Sequence, residues 1–282
     1  MTAVNCGEPE LITVYTPGEK GYTSIRIPSI VTTGDGTLLA FAEGRAKYED
    51  HAENDIILKR STDLGETWGP MQVVASEGRD SLNDPSAVVD RNTGRVMLHY
   101  SRFAEGYHTG KAVPGYDDPH ASRNYVVCSD DNGATWSPPM DVTRNVKPPD
   151  VRSGIATCGI GIQLRRDPHA GRLVHACYLF ADSPNRMAYA VFSDDGGASW
   201  HRGEPAESVN DVPNAEPQVV ELADGRVMMN ARTGCGRRYV GTSSDGGATF
   251  GEMSPDETLI EPGCQGSIFR YSAPLDGERS RV

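Results

Sequence analysis

The chain lacks a hydrophobic stretch long enough to cross a membrane. A transmembrane helix needs about 20 consecutive apolar residues, and no such run occurs among the 282 residues. The N-terminal segment MTAVNCGEPELITVYTPGEKG also lacks the basic start and apolar centre of a secretory signal. We therefore expect no membrane span, and a cytoplasmic protein unless an upstream segment that directs secretion is missing.

Positive charge is also scarce. The chain has 27 lysines and arginines against 39 aspartates and glutamates, which gives a formal net charge of −12. Nucleic acids and anionic membrane surfaces attract basic proteins, so we expect neither as a partner. An anionic small ligand would need a local cluster of arginines inside this acidic molecule.

Paired cysteine and histidine motifs are absent. The six cysteines contain no C-x-x-C pair, and the seven histidines contain no i, i+2 or i, i+4 pair. We therefore expect neither a metal nor another cofactor. Scattered cysteines in a chain of this length favour buried free thiols, with disulfides as the alternative. The cysteines are Cys6, Cys128, Cys158, Cys177, Cys235 and Cys264.

Long helical patterns are missing as well. No stretch of 12 or more residues shows convincing helical periodicity, whereas 31 glycines and 19 prolines provide many turns. This composition is typical of an all-β protein. One domain is expected, because all-β domains of 200 to 250 residues are common.

A short repeat is the clearest positive feature of the sequence. The pattern S-x-D-x-G-x-[ST]-[WF], which we call the Asp-box, occurs four times, and all three tryptophans occupy its last position. Its serine, threonine and aspartate side chains can bond to nearby backbone amides, and its glycine allows a positive φ. We interpret the boxes as structural turns whose aromatic residue packs beneath them, with a calcium site as the less favoured alternative. The copies are Ser61–Trp68, Ser129–Trp136, Ser193–Trp200 and Ser243–Phe250.

Strand-like segments precede and separate the boxes. Roughly four short strands per repeat predict the unit of a β-propeller. The box aspartates are spaced by 68, 64 and 50 residues, so the chain has room for four to five units. The last residues, Leu275 to Val282, follow the pattern of a turn leading into another strand. We therefore expect an incomplete ring.

Outside the boxes, several short motifs resemble the sialidase family, chiefly its bacterial secreted members. The resemblance covers residues 15 to 282 and implies a six-bladed β-propeller, here a single catalytic domain over residues 1–282 without its C-terminal blades. It also implies an exo-α-sialidase that removes terminal α-linked sialic acid from glycoproteins, gangliosides or oligosaccharides. The matching stretches are Arg26-Ile27-Pro28, Ala42-Glu-Gly-Arg45, Asp84-Pro-Ser-Ala-Val-Val-Asp90, Gly161-Ile-Gln-Leu164, Glu216-Pro-Gln-Val-Val-Glu-Leu222 and Asn230-Ala-Arg232.

The resemblance assigns roles to two arginines and one aspartate. Arg26 and Arg232 match members of the arginine triad that grips the sugar carboxylate, which an arginine fork can bind in a bidentate manner. Asp50, five residues after Arg45, matches the general acid and base. Asp55 and Glu49 are the alternatives for that role.

Glu216 matches the base that takes a proton from a tyrosine nucleophile. A carboxylate nucleophile would repel the substrate's own carboxylate, by roughly 4 kcal/mol at about 4 Å and an effective dielectric near 20. A neutral phenol avoids much of this repulsion. Arg45 and Asp84 match pocket residues that contact the sugar's 4-hydroxyl, although Asp84 could instead stabilise the turn at Asn83-Asp-Pro85.

Two family residues have no match among the 282. The third triad arginine and the nucleophilic tyrosine follow the stretch that resembles Gly263 to Ile268, and Tyr239 and Tyr271 are interpreted as packing residues. We therefore expect little or no turnover from this chain. The competing hypotheses are a non-catalytic Asp-box propeller that binds glycans or proteins, and a different glycoside hydrolase on a related propeller. Two arginines in one pocket favour the sialidase.

Overall fold

The computed structural model describes residues 11–181, 186–272 and 274–282. Cys6 and the first ten residues of the segment used to judge targeting lie outside the described residues. Where the chain is described, no helix is long and apolar enough to cross a bilayer. The described α-helix is a single turn, α1, Thr143–Val146, accompanied by 3-10 turns at Glu19–Gly21, Val209–Asp211 and Pro274–Asp276.

Two antiparallel four-stranded units form the first half of the fold. The second strand of each unit pairs with both its neighbours, and a single parallel pair, Asn54 with Ser81, links the units. The first unit contains β1, Ser24–Thr32; β2, Leu38–Arg45; β3, Asn54–Ser61; and β4, Gln72–Ala75. The second contains β5, Ser81–Val89; β6, Val96–Phe103; β7, Arg123–Ser129; and β8, Met140–Asp141.

The second half repeats this plan with one change. In the third unit the innermost strand is broken, so that β9 and β11 both pair with β12, while β10 runs parallel to β5 of the second unit. The third unit contains β9, Ser153–Ala156; β10, Gly159–Ile160; β11, Ile162–Gln163; β12, Leu173–Phe180; β13, Arg186–Ser193; and β14, His201–Arg202. The fourth contains β15, Ala215–Glu221; β16, Val227–Arg232; β17, Arg237–Ser243; and β18, Ser254–Ile260.

The prediction of a β-propeller built from four-stranded units is confirmed. In the described residues there are four such units, and each contains one Asp-box between its third and fourth strands. The innermost strands of neighbouring units lie against each other, which brings β1, β5 and β10 together near the centre.

All four Asp-boxes have the same internal hydrogen bonds. In the second box the Gly133 amide donates to Ser129 Oγ at 2.8 Å, and the Thr135 amide and hydroxyl donate to the two oxygens of Asp131 at 2.8 and 2.6 Å. These donors, the Thr135 hydroxyl first among them, lower the pKa of Asp131 to about 2. Both oxygens of the Asp131 carboxylate therefore accept hydrogen bonds within their own turn.

The second, third and fourth boxes also pack against the preceding unit. The Trp136 ring meets Phe41 of the first unit edge-on, with centroids 5.6 Å apart, and Trp200 is buried in a cluster with Val88 and Met97 of the second. A Cβ at Gly133 would come within 2.9 Å of Leu39. Glycine is thus favoured at this position for two reasons: it adopts a positive φ, and its lack of a side chain allows the two units to approach closely.

The cysteine prediction is correct in part. The described cysteines are all free thiols, and Cys158 and Cys177 are buried. Cys235 and Cys264, however, are exposed. The sequence pattern around a single cysteine does not show whether the cysteine is buried. Cys235 lies in the loop between β16 and β17, and Cys264 lies in the loop after β18.

Two buried histidines lie at the interface of the second and third units. The imidazoles of His99 and His175 are 5.7 Å apart and essentially unexposed. Nε2 of His99 faces Asn124 at 3.2 Å, and Nδ1 of His175 faces Ser86 at 2.9 Å. Burial lowers the pKa of His99 to about 4 and that of His175 well below its usual range. Both rings are thus held neutral.

This pair predicts acid sensitivity of the fold. Because the folded pKa values lie below the unfolded value of about 6.5, the unfolded chain takes up protons first, and stability falls as the pH drops from about 6.5 towards 4. We expect His175→Phe to reduce the slope of unfolding free energy against pH by about 1.4 kcal/mol per pH unit in this range. Urea denaturation at stepped pH measures it. Equal slopes for the variant and the wild type would contradict the prediction, and replacement of the exposed His201 is the control.

Candidate active site

The innermost strands of the first, second and fourth units share an interruption near the propeller centre. At the same level in each strand the pairing register shifts, and a residue with positive φ precedes a proline. Such a conformation costs about 1–3 kcal/mol for a residue other than glycine. We call these interruptions the central bulges. Their positive-φ residues are Ile27 at 60°, Asp84 at 57° and Glu216 at 42°.

The central bulges position three of the six predicted site residues. Arg26 lies directly before the first bulge, whereas Asp84 and Glu216 are themselves the bulged residues. In the third unit the innermost strand breaks at the corresponding place, where Gly159 has a φ of 113°. A bulge redirects side chains that a regular strand would alternate between its two faces. The bulged strands therefore present charged groups to the centre.

Asp50 is held by two arginines of the first unit. Nη1 of Arg45 donates to Asp50 Oδ1 at 2.7 Å, and Nη1 of Arg26 lies 3.4 Å from the same oxygen. The hydrogen bond from Arg45 is the main cause that lowers the pKa of Asp50. The Asp50 side chain remains 70% exposed. Its carboxylate is therefore ionised, accessible and flanked by positive charge.

The two alternatives to Asp50 are placed differently. Asp55 accepts a hydrogen bond from the Tyr22 hydroxyl at 2.6 Å. Glu49 is exposed in the loop beside Asp50. Among these three acids, Asp50 is the one held by Arg26 and Arg45.

Glu216 and Arg232 form a second pair, contributed by the fourth unit. Nη1 of Arg232 lies 2.7 and 2.8 Å from the two carboxylate oxygens of Glu216. The register places Ala215 opposite Arg232, so the bulge that follows turns Glu216 back towards the guanidinium. Both side chains keep about a third of their surface exposed, at 27% and 31%.

Asp84 lies between these two groups of charges. Burial raises the pKa of Asp84 well above its usual range, and the carboxylates of Glu43 and Glu216 raise it further. Its backbone amide donates to Glu43 at 2.8 Å, while within the described part of the chain its carboxyl group has no hydrogen-bond partner. The carboxyl group of Asp84 therefore does not stabilise the turn at Asn83-Asp-Pro85. Its backbone amide bonds to Glu43 instead.

Arg45 is placed differently from the other two arginines. Its side chain is only 2% exposed and is committed to Glu43 and Asp50. Arg26 and Arg232, by contrast, are 55% and 31% exposed. An incoming anion would therefore meet Arg26 and Arg232 first, while Arg45 supports Asp50 from below.

Sequence reasoning missed two residues of this region. Glu43 is buried beside Arg45, and its position two residues earlier on the same strand face was the signal that could have found it. Tyr178 on β12 was not anticipated at all. Burial raises the pKa of Tyr178 well above its usual range, and the nearby Asp84 and Glu216 add to that rise, which disfavours a phenolate there.

The two tyrosines interpreted as packing residues differ from each other. Tyr239 is 5% exposed within the apolar cluster of the third and fourth units, as predicted. Tyr271 is 75% exposed, so its assignment as a packing residue is wrong. Its ring lies 5.7 Å from the Arg281 guanidinium instead.

Comparisons with known proteins agree on one family. Residues 36–261 match the family model described as a BNR repeat-like domain. A sialidase of Micromonospora viridifaciens is 38% identical over 94% of this chain and 42% of its own length, and a sialidase of Paraclostridium sordellii is 31% identical over 96% and 69%. The solved structure of a Hadza microbial sialidase superposes with a TM-score of 0.78 at 30% identity, over 88% of this chain and 50% of that one. The chain thus spans about half the length of several relatives it matches.

The environment of Asp84 predicts that this residue destabilises the fold at neutral pH. Because its folded pKa is raised, the ionised group costs stability as the pH rises above its unfolded value of about 3.9. We expect Asp84→Asn to have a Tm close to that of the wild type near pH 4 and a higher Tm at pH 8, by about 2–4 °C for each kcal/mol of repulsion removed. Thermal unfolding at both pH values measures this. A difference that does not change with pH would contradict it, and Glu49→Gln is the control in the exposed loop.

Proposed function

Since the chain belongs to the sialidase family of BNR-repeat proteins, we propose that its central site binds the terminal sialic acid of glycans and takes part in exo-α-sialidase chemistry. The observation that carries the proposal is the pairing of Arg26 with Asp50 and of Arg232 with Glu216 at the central bulges of two separate units. Sialic acid bears a carboxylate next to its anomeric carbon. A site with two accessible guanidinium groups beside two carboxylates suits that chemistry.

Recognition of the sugar acid would rest on Arg26 and Arg232. Both guanidinium groups are partly exposed and each is already oriented by a carboxylate of its own unit. Charge-assisted hydrogen bonds from arginine to a carboxylate are stronger and more directional than neutral ones. A neutral sugar would gain little from this pair. We propose terminal sialosides of glycoproteins, gangliosides or oligosaccharides as the ligands.

The state of Asp50 bears on its proposed role as general acid. In the unliganded site its pKa is lowered by Arg45 and Arg26, so it carries no proton to donate. A ligand carboxylate bound to Arg26 would withdraw part of that stabilisation and bring a negative charge close to Asp50. Both changes favour protonation of Asp50. Substrate binding would therefore prepare the acid for donation to the glycosidic oxygen.

The proposed reaction is retaining. Asp50 would give its proton to the leaving oxygen while a tyrosine attacks the anomeric carbon and passes its phenolic proton to Glu216. Water would then attack the anomeric carbon, with Asp50 taking a proton from that water while Glu216 returns its proton to the leaving tyrosine oxygen. Both oxygens of Glu216 accept hydrogen bonds from Nη1 of Arg232. Engagement of Arg232 by the sugar carboxylate would free these oxygens to accept the phenolic proton.

A second candidate function is sialoside binding without turnover. It is favoured by a specific observation: among the described residues Glu216 accepts hydrogen bonds from Arg232 and from no tyrosine. Tyr178, whose pKa is raised by burial and further by the nearby Asp84 and Glu216, is poorly suited to become a phenolate. The arginines would then hold the ligand with no nucleophile to attack it.

Arg26 offers a direct test of carboxylate recognition. We expect Arg26→Ala to weaken binding of a 2,3-didehydro sialic acid about 10- to 100-fold, since a charged hydrogen bond of about 1.5–3 kcal/mol is lost. Arg95→Ala is the matched control, because Arg95 pairs with Asp130 beside an Asp-box rather than in the centre. Isothermal titration calorimetry gives both dissociation constants. Equal affinity of Arg26→Ala and wild type would refute the proposed role.

Turnover separates the two candidate functions. From the 282-residue chain we expect a kcat/KM on a fluorogenic sialoside at least about 1,000-fold below that of the Micromonospora relative, because loss of an activated nucleophile typically costs several orders of magnitude. A fluorogenic β-galactoside serves as the neutral-sugar control. Turnover comparable to that of the relative would contradict this expectation and would point to a nucleophile among the present residues, Tyr178 being the first to replace with phenylalanine.

A further inference from the structure

Glu43 on β2 is one of the most completely used carboxylates of the protein. It is 1% exposed and lies where the first and second units meet. Oε2 accepts a hydrogen bond from Nε of Arg45 at 2.7 Å and lies 2.6 Å from Nη2 of the same guanidinium. Oε1 accepts from the Asp84 amide at 2.8 Å and from Nδ2 of Asn83 at 3.2 Å. Four donors from two units thus converge on one side chain.

These contacts give Glu43 control over three of the proposed site residues. With Nε and Nη2 of Arg45 fixed by Glu43, the remaining Nη1 faces Asp50. The bond to the Asp84 amide holds the positive-φ bulge from which the Asp84 carboxyl projects. Asn83 also donates to the Asp50 carbonyl at 3.0 Å, so the loop of Asp50 is tied to the same centre.

Another buried glutamate shows what a purely structural carboxylate does in this fold. Glu221, at the outer end of β15, is 7% exposed and accepts hydrogen bonds from the backbone amides of Arg165 and Arg166 at 3.0–3.1 Å. It joins the third and fourth units, and within the described part of the chain no residue of the central site donates to its carboxylate. Glu43 differs because its donors are themselves parts of the site or its immediate support.

We propose that Glu43 is a positioning residue, which sets the orientation of Arg45 and of the Asp84 bulge and through them the geometry of ligand binding. The inference rests on the proposed function, since it assigns this geometry to sialic acid recognition. Loss of the Glu43 charge should therefore disorder the Arg45 side chain and weaken ligand binding. Glu43 itself is too deeply buried to touch the ligand.

The test compares Glu43→Gln with Glu221→Gln. Glutamine keeps the shape of Glu43 but replaces one acceptor oxygen with an NH2 group, which then faces donors of Arg45 or of Asn83 and Asp84. In Glu43→Gln we expect hydrogen exchange of the Arg45 Nε–H, followed by NMR, to be at least about 10-fold faster, and the Kd for a 2,3-didehydro sialic acid to be about 10-fold higher. Glu221→Gln should change neither by more than about 2-fold.

A double-mutant cycle distinguishes positioning from a general loss of stability. In the Arg45→Gln background, Glu43→Gln should change the Kd by clearly less than the factor of about 10 expected in the wild-type background, because the part of its effect that passes through Arg45 is already lost. Independent, multiplicative effects would overturn the proposal, as would wild-type affinity of Glu43→Gln. If Glu43→Gln does not fold, Glu43→Asp keeps the charge beside Arg45 but is too short to reach all four donors, and a Kd about 3- to 10-fold higher is expected.

The outcome for the wild type keeps the two proposals apart. If the wild-type chain does not bind the sialic acid analogue, the proposed function fails. The exchange rate of the Arg45 Nε–H then still decides whether Glu43 orders Arg45. Unchanged exchange in Glu43→Gln would overturn the positioning role whatever the ligand result.

Discussion

The arrangement of the site depends on the central bulges. Regular strands alternate their side chains between two faces, and in a propeller both faces of a blade are packed against neighbouring blades. A charged side chain on such a strand has no route to the centre unless the strand is interrupted. Ile27, Asp84 and Glu216 provide that interruption at one level in three units, each followed by a proline that has no amide hydrogen to pair. The strain in these residues is the condition for bringing Arg26, Asp84 and Glu216 towards one another.

The same arrangement concentrates charge in a way that opposes folding. Burial and then the nearby carboxylates of Glu43 and Glu216 raise the pKa of Asp84, whereas Arg45 lowers it. Natural sites commonly retain such unfavourable electrostatics when it serves binding. The net charge of −12 therefore does not exclude an anionic ligand, because the guanidinium groups of Arg26 and Arg232 remain accessible within this acidic molecule.

Much of the fold could be predicted from the sequence, because its signals are local. The Asp-box encodes a complete turn in eight residues, and strands precede and follow each box, in agreement with the strand-like segments of the sequence. Asp50 could be selected from its spacing to Arg45. The dipeptides Ile27-Pro28, Asp84-Pro85 and Glu216-Pro217 are also visible in the sequence, yet their positive φ values depend on pairing between strands and could not be read locally.

Other parts of the site depend on contacts between units, which sequence spacing does not encode. Glu43 contacts Asp84 in the folded chain although 41 residues separate them in the sequence. Its role as a common hydrogen-bond acceptor could therefore not be foreseen. The proximity of Tyr178 to Asp84 and Glu216 depends in the same way on the third unit lying beside the second and fourth. The exposed Cys235, Cys264 and Tyr271 were misjudged for a related reason: residue type alone does not report burial.

The fit of the Asp-box glycines in the second, third and fourth units to the unit before them has a consequence for how such proteins can grow. Gly133 accommodates Leu39, and Gly247 lies against Val174, so each of these units carries within its own turn the surface that receives its predecessor. A duplicated unit would bring its own connector along with it. Propellers of this kind can therefore gain or exchange units through copying of a single gene segment, without a matching change in the segment that precedes it.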